Sequence, residues 1–324
     1  MAYAIHATKP GGTDVLEKIE FEPVEPGPDE VQIKHNAIGV NFIDVYIRTG
    51  AYPWPVEENL VLGSEAAGVI QAVGSGVSGF REGDRVAYTL PNGAYSSHRN
   101  INVSHVVHLP DSIDDQTAAG CMLKGLTCYY LLHNSFKVEP QHKVLFHAAA
   151  GGVGLIAGQW LSAIGATAIG TAGSDEKCEL ALSHGYTDVI NYNTDDFVAG
   201  VKALTEGSMV DVVYDSVGKG TWPGSRDCLK RHGTLVCFGQ SSGPAEDFKI
   251  SDLAVGSLYL TRPTLFHFVA DREWLEKAAA GLFEMISSGK LKIAVNQTFD
   301  LSDAAKAHEA LESRATTGST VLIP

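Results

Sequence analysis

The segment Lys143-Val-Leu-Phe-His-Ala-Ala-Ala-Gly-Gly-Val-Gly154 carries small residues spaced Ala149-x-Gly151-x-x-Gly154 and runs straight into a long apolar stretch. A strand, a small-residue turn and a helix in this order make a dinucleotide fingerprint, here with alanine at the first small position. Small residues let backbone approach a pyrophosphate, and free N–H groups at the helix start meet its charge. The end of the next strand candidate reads Ile169-Gly170-Thr171-Ala172-Gly173-Ser174, with no carboxylate to receive ribose hydroxyls, and Lys177 follows within a turn. Ser174 and a cation suit a 2′-phosphate, so NADPH is expected over NADH. Asp175 and Glu176 oppose this in charge, but as first-turn residues they point to solvent or cap the helix. Tyr192 either covers the adenosine phosphate edge or is a half-buried strand aromatic. Later strand ends yield Ser216-Val217-Gly218 and Phe238-Gly239-Gln240-Ser241-Ser242-Gly243, loops suited to line a cofactor and equally able to end strands without touching one.

Other chemistries find less support. The five cysteines, 121, 128, 178, 228 and 237, form no closely spaced cluster with histidine, and 121, 128, 228 and 237 read as buried thiols, so no metal site is expected. Glu65, after Gly63-Ser64, reads as a turn or internal ion-pair residue. No Gly-x-Ser-x-Gly elbow supports acyl transfer, and no Lys-Ser/Thr pair follows the nucleotide loop. Hydride transfer remains, in which a reduced nicotinamide brings the reactive donor and the protein mainly orients it and excludes water. In Asn41-Phe-Ile-Asp-Val-Tyr46-Ile-Arg48, Tyr46 is able to donate its hydroxyl to the oxygen of a reduced substrate and Asn41 to orient nicotinamide or substrate. Turn support and core packing explain the same residues, and Arg48 and Asp44 are read as a structural pair.

The elements that must position these groups fill 324 residues, enough for two domains. Up to about residue 110, short apolar runs broken by Gly, Pro, Asn and Asp (AYAIHA, VQIKHNAIGV, VLGSEAAGVIQAVG, RVAYTL, VSHVVHL) are strand-and-turn language. After Pro110 helical spacing begins. From 143 strand candidates alternate with helices, including a Trp222-to-Lys230 stretch, which predicts an open parallel βαβ sheet. SLYLTRP adds a strand, REWLEKAAAGLFEMISSG and LSDAAKAHEALESR are helices, and TVLIP closes the chain as a strand. A formal charge of -14 argues against nucleic acid or anionic membrane as partner, although a local basic pocket is compatible with it. Sparse, unpaired cysteines and the lack of a signal-like start or spanning apolar run point to the cytoplasm, with no membrane anchor.

With these residues in view, the chain resembles the zinc-independent quinone oxidoreductase branch of the medium-chain dehydrogenase/reductase superfamily, particularly the bacterial NADPH:quinone oxidoreductases. The resemblance runs from Tyr3 to Pro324 through NFIDVYIRTG, GSEAAGVIQAVGSG, GDRVAY, LKGLTCYYLL, LFHAAAGGVGLIAGQW, VVYDSVG and HEALESRATTGSTVLIP. It implies an α/β fold: a GroES-like β-rich catalytic domain, residues 1–125 and 264–324, around a Rossmann doubly wound parallel-sheet domain, residues 126–263. It implies cofactor-pocket roles for Asn41, Tyr46, Thr127, Gly151, Gly152, Val153, Gly173, Ser174, Lys177, Tyr192, Ser216, Phe238, Ser241 and Arg314. Gly173, Ser174, Lys177 and Tyr192 would recognise the 2′-phosphate, with Arg314 reaching back into the same cleft. Asn41 and Gly63-Ser64-Glu65 stand where zinc-bearing relatives have a metal-binding cysteine and Gly-His-Glu, and the cysteine-rich lobe is missing. The implied activity is reduction of a quinone by NADPH in the interdomain cleft, by a homodimer joined at its dinucleotide domains, with SLYLTRP at the interface. An enone or activated-alkene reductase, or a nonenzymatic NADPH- or RNA-binding relative, is the alternative.

Overall fold

The computed structural model describes residues 1–313 and 315–324, so the expectation placed on Arg314 lies outside the described residues. The chain divides into two compact units: Met1–Leu126 with Phe266–Ser288 and Ile293–Pro324, and Thr127–Leu265 with Gly289–Lys292.

In the first unit, the strand Glu30–Val40 pairs antiparallel with Glu65–Val73, with His98–Asn102 and with the C-terminal strand Ser319–Ile323. Glu65–Val73 continues the sheet to Arg85–Thr89 and Val106–His108, and Ser319–Ile323 pairs parallel with Val295–Asp300. A smaller sheet sets Ala2–Ala7 between Leu16–Phe21 and Leu60–Val61. Alternation along Glu30–Val40 sends Val31, Ile33, Ile38 and Val40 into a core with Ile70, Val86, Tyr88, Leu301 and Leu322. Two expected strand or turn segments differ. NFIDVYIR forms a helix, Phe42–Arg48, because Asp44 accepts the N–H of Asn41 at 2.9 Å and closes its first turn. VSHVVHL begins as a 3-10 turn, Val103–His105, started by the Asn102 side chain, which accepts the Ser104 N–H at 3.0 Å.

The second unit is a six-stranded, wholly parallel sheet in the order Asp188–Asn191, Thr167–Ala172, Lys143–Phe146, Val210–Asp215, Leu229–Cys237, Tyr259–Thr261. Both faces of its central strands are covered, which is why all six residues of Val210–Asp215 are buried and the strand reads as a continuous run. Its core joins Leu145, Ile169, Val213 and Leu235 with Val201 and Cys228. The helix expected over Trp222–Lys230 ends at Asp227, since Leu229 and Lys230 already belong to the next strand. Strand order reverses between Lys143–Phe146 and Val210–Asp215, and open parallel sheets take ligands beyond the carboxyl ends at such a switch point. Among the described residues no helix is long and apolar enough to cross a membrane.

Candidate functional site

The fingerprint loop sits at that switch point. After Lys143–Phe146 the chain turns at Ala148, whose φ of 55° is left-handed and costs an alanine about 1 kcal/mol. The turn is closed by the Gly151 N–H donating to the Ala148 carbonyl at 2.9 Å and by the Ala149 N–H donating to the Thr171 carbonyl at 2.9 Å. Gly151 then starts the helix Gly152–Ile164 with no side chain capping its first amides. A Cβ at Gly154 would fall against the carbonyl oxygens of Ala148 and Ala149, so only glycine lets the helix pack this closely on the loop. An exposed Gly151 leading to uncapped helix amides fits a dinucleotide pyrophosphate.

At the end of the neighbouring strand, Ser174 caps the helix Asp175–Leu182 by accepting the Lys177 N–H at 3.3 Å. Tyr192 is 42% exposed, and its hydroxyl would lie 2.7 Å from a Cβ at Gly173, so the phenol lies over bare backbone there. Asn193, which the sequence did not single out, donates its amide to the Gly173 carbonyl at 2.7 Å. Asp175 is engaged by the Asn191 amide at 2.7 Å. Gly173, Ser174, Lys177 and Tyr192 thus share one corner, with no strand-terminal acid to repel a phosphate.

The later loops are stitched to each other. Ser241 N–H donates to the Ser216 carbonyl at 3.1 Å and Ser242 N–H to that of Val217 at 2.9 Å. Gly239 packs so tightly that a Cβ would stand 2.7 Å from the Ser216 oxygen. Phe238 donates its N–H to Asp215 O at 2.8 Å and its ring lies 5.6 Å from that of Phe146. Thr127 is buried in the helix Met122–Tyr130.

In the first unit, Asn41 is fixed at both ends by buried carboxylates. Its side-chain amide donates to Glu65 Oε1 at 2.7 Å and its backbone N–H to Asp44 Oδ2 at 2.9 Å. Glu65 also accepts the Leu123 N–H at 2.6 Å and the Lys124 ammonium at 3.2 Å, which makes it an internal ion-pair residue. Tyr46, half-buried on the same helix, lies between the tilted rings of Phe42 and Tyr52, with ring centroids 6.2 and 5.5 Å away. The expected pairing of Arg48 with Asp44 is not what forms: Arg48 binds Glu312 with both Nη groups, at 3.0 and 2.9 Å, and donates to His308 Nδ1 at 2.9 Å. Because Arg48 only donates, the His308 proton belongs on Nε2, which meets the Tyr95 hydroxyl at 2.9 Å; Tyr95 in turn donates to Asp44 at 3.2 Å. Ser64 completes the set, donating to Asp44 Oδ1 at 2.7 Å.

Burial pushes the Asp44 carboxyl up to about 7, even though the Ser64, Asn41 and Tyr95 donors pull it down. Burial, assisted by Arg48, holds His308 down to about 3, and it raises the Tyr95 hydroxyl. Lys124, Tyr95 and His308 escaped the sequence reading. A lone lysine inside the apolar LKGLTCYYLL was the one signal that pointed to any of them.

Two family models match the chain: "Alcohol dehydrogenase GroES-like domain" over residues 27–143 and "Zinc-binding dehydrogenase" over residues 152–280. A quinone oxidoreductase of Salmonella typhimurium is 51% identical over the full length of both chains. The crystal structure of Escherichia coli quinone oxidoreductase complexed with NADPH superposes with a TM-score of 0.97 at 49% identity, over 99% of this chain and 100% of the other. A 2-haloacrylate reductase of a Burkholderia species is 44% identical over 100% of this chain and 99% of its own. The chain belongs to the zinc-independent quinone oxidoreductases of the medium-chain dehydrogenase/reductase superfamily.

The residues do not suit the zinc that one model's description carries. Asn41, Ser64 and Glu65 offer an amide, a hydroxyl and one carboxylate, and that carboxylate already holds an amide N–H and an ammonium. Among the described residues no group of three or more His, Cys, Asp or Glu is placed to hold a metal ion.

The Asp44 carboxyl makes stability depend on pH. With its folded value at about 7 against an unfolded value of about 3.9, the native state holds the extra proton between them, so stability falls as pH rises through that window. Urea unfolding of Asp44→Asn is expected to show a smaller loss between about pH 4 and about pH 8 than the wild type. Equal losses would contradict the assignment.

Proposed function

We propose that this chain is an NADPH-dependent quinone oxidoreductase that works without zinc. The observation that carries the reading is the uncapped, glycine-lined start of Gly152–Ile164 beside a strand end without an acid, in a chain 49% identical to an enzyme solved with NADPH. When bound, NADPH supplies the reducing equivalents from its nicotinamide. The amides of Gly151, Gly152 and Val153 hold the pyrophosphate. Lys177, Ser174 and the Tyr192 hydroxyl, around the bare backbone of Gly173, take the 2′-phosphate. Thr127, Ser216, Phe238, Gly239 and Ser241 line the nicotinamide half. Asn41, immobilised by Glu65 and Asp44, presents a fixed amide to nicotinamide or quinone, and Tyr46 presents its ring and hydroxyl to the acceptor. The protein's contribution is placement and exclusion of water, because a redox-active acceptor needs little acid-base help. The catalytic role belongs to the unit Met1–Leu126, Phe266–Ser288 and Ile293–Pro324 and NADPH binding to the unit Thr127–Leu265 with Gly289–Lys292, so the expected bounds 1–125, 264–324 and 126–263 shift slightly and residues 289–292 change sides; the enzyme works in the cytoplasm.

The strand Tyr259–Thr261 ends the parallel sheet with one edge unpaired by the others, and Ile250, Val255 and Tyr259 nearby are 83%, 75% and 62% exposed. An apolar open edge invites pairing with a second copy, so the enzyme is a homodimer through this strand.

Titration with NADPH and NADH, followed by single-turnover oxidation with a simple quinone, is expected to give tighter NADPH binding and loss of its absorbance on mixing. Equal affinity for NADH would remove the role given to Lys177, and turnover only on α,β-unsaturated carbonyls would replace the quinone as substrate. Light scattering is expected to give twice the chain mass for the wild type and the chain mass for Tyr259→Lys. A monomeric wild type or a dimeric variant would rule out this interface.

A further inference from the structure

Beneath the loops of the second unit lies a polar network for which hydride transfer itself has no use. His147, Asp215 and Ser225 are wholly buried, and Thr171 and Thr221 nearly so. Asp215 Oδ1 accepts the N–H groups of Val217 at 2.8 Å and Gly218 at 3.0 Å, and Thr221 donates to the same carboxylate at 2.8 Å. Ser225 donates to Asp215 Oδ2 at 2.7 Å. With its hydrogen spent there, the Ser225 oxygen receives His147 Nε2–H at 2.9 Å, which leaves His147 Nδ1 to accept the Thr171 hydroxyl at 2.8 Å. Burial lowers the His147 pKa against the pull of Asp215, in keeping with a neutral ring bearing its proton on Nε2.

Three members stand at the feet of different loops, while Ser225 sits on the helix Trp222–Asp227. His147 immediately precedes the left-handed turn at Ala148, Thr171 lies two residues before Gly173, and Asp215 precedes Ser216-Val217-Gly218, which its own carboxylate clamps. The three strands involved are adjacent in the sheet and span the switch point. Apolar side chains of similar volume would fill this space without desolvating a carboxylate, so a fully satisfied network argues for fixing geometry rather than for adding stability.

We propose that Thr171, His147, Ser225 and Asp215 act as positioning residues for the dinucleotide, holding the pyrophosphate loop, the 2′-phosphate loop and the Ser216–Gly218 loop in mutual register. The inference rests on NADPH as the cofactor. Breaking any link lets one loop move against the others, and its effect falls on NADPH affinity before the reaction of the bound cofactor.

The test is NADPH binding by fluorescence titration, with unfolding midpoints measured in parallel, on Thr171→Val, Thr171→Ser, Ser225→Ala and, as a core truncation elsewhere in the unit, Val201→Ala. Thr171→Val keeps the shape and removes the hydroxyl. It and Ser225→Ala are expected to weaken NADPH binding about tenfold, the equivalent of about 1.4 kcal/mol, and to raise the KM for NADPH more than they lower kcat. Thr171→Ser should restore binding, and Val201→Ala should lower the midpoint with wild-type affinity. Wild-type affinity in Thr171→Val would overturn the proposal whether or not Ser225→Ala folds. So would an affinity loss that merely follows the midpoint, with Val201→Ala weakened alike. A wild type that does not bind NADPH would instead overturn the reading of the cofactor on which the proposal depends.

Discussion

A carboxylate taken out of water must be surrounded by donors or it destabilises whatever encloses it. Three such groups recur in this protein, two in the first unit and one in the second. Glu65 is saturated by Asn41, Leu123 and Lys124; Asp44 by Asn41, Ser64 and Tyr95; Asp215 by Val217, Gly218, Thr221 and Ser225. Each binds backbone N–H groups as well as side chains, so each fixes the course of the chain where a loop or helix begins. Flexible loops become rigid platforms by this means, and rigidity is what a reaction that depends on placement requires.

The same accounting explains what the first unit does with positive charge. Lys124 is buried with its ammonium on Glu65, and Arg48 is buried with its guanidinium on Glu312 and His308. A cation built into the chain therefore stands against the carboxylate that follows Gly63-Ser64. The overall charge of -14 does not describe local charge: Lys177 follows the Gly173 corner, and the amides after Gly151 carry no side-chain cap.

How much of this was legible depended on sequence separation. The strand, turn and helix around Ala149-x-Gly151-x-x-Gly154 were readable because small-residue spacing and apolar periodicity are local properties, and so was the parallel alternation from Lys143 to Cys237. The helix Phe42–Arg48 was missed because its signal is a capping carboxylate inside a short apolar run, not a long periodic face. The ion pair of Glu65 spans 59 residues, and the contacts of His308 with Tyr95 and Arg48 span 213 and 260; no pattern within a window carries such pairings. Arg48 reads as the partner of nearby Asp44 for the same reason, since proximity along the chain was the only guide. Resemblance to a family named candidate cofactor residues but not the buried groups beneath their loops.

The claim that Asn41 is held by a buried charge pair is tested most directly by a double-mutant cycle on Glu65→Gln and Lys124→Met, read by urea unfolding. Lys124→Met alone strands a carboxylate in the sheet and is expected to cost about 3–5 kcal/mol. Adding Glu65→Gln to it should cost much less than the same change in the wild type, a coupling of at least about 1 kcal/mol. Additive losses would contradict the account, because they would mean that neither charge depends on the other.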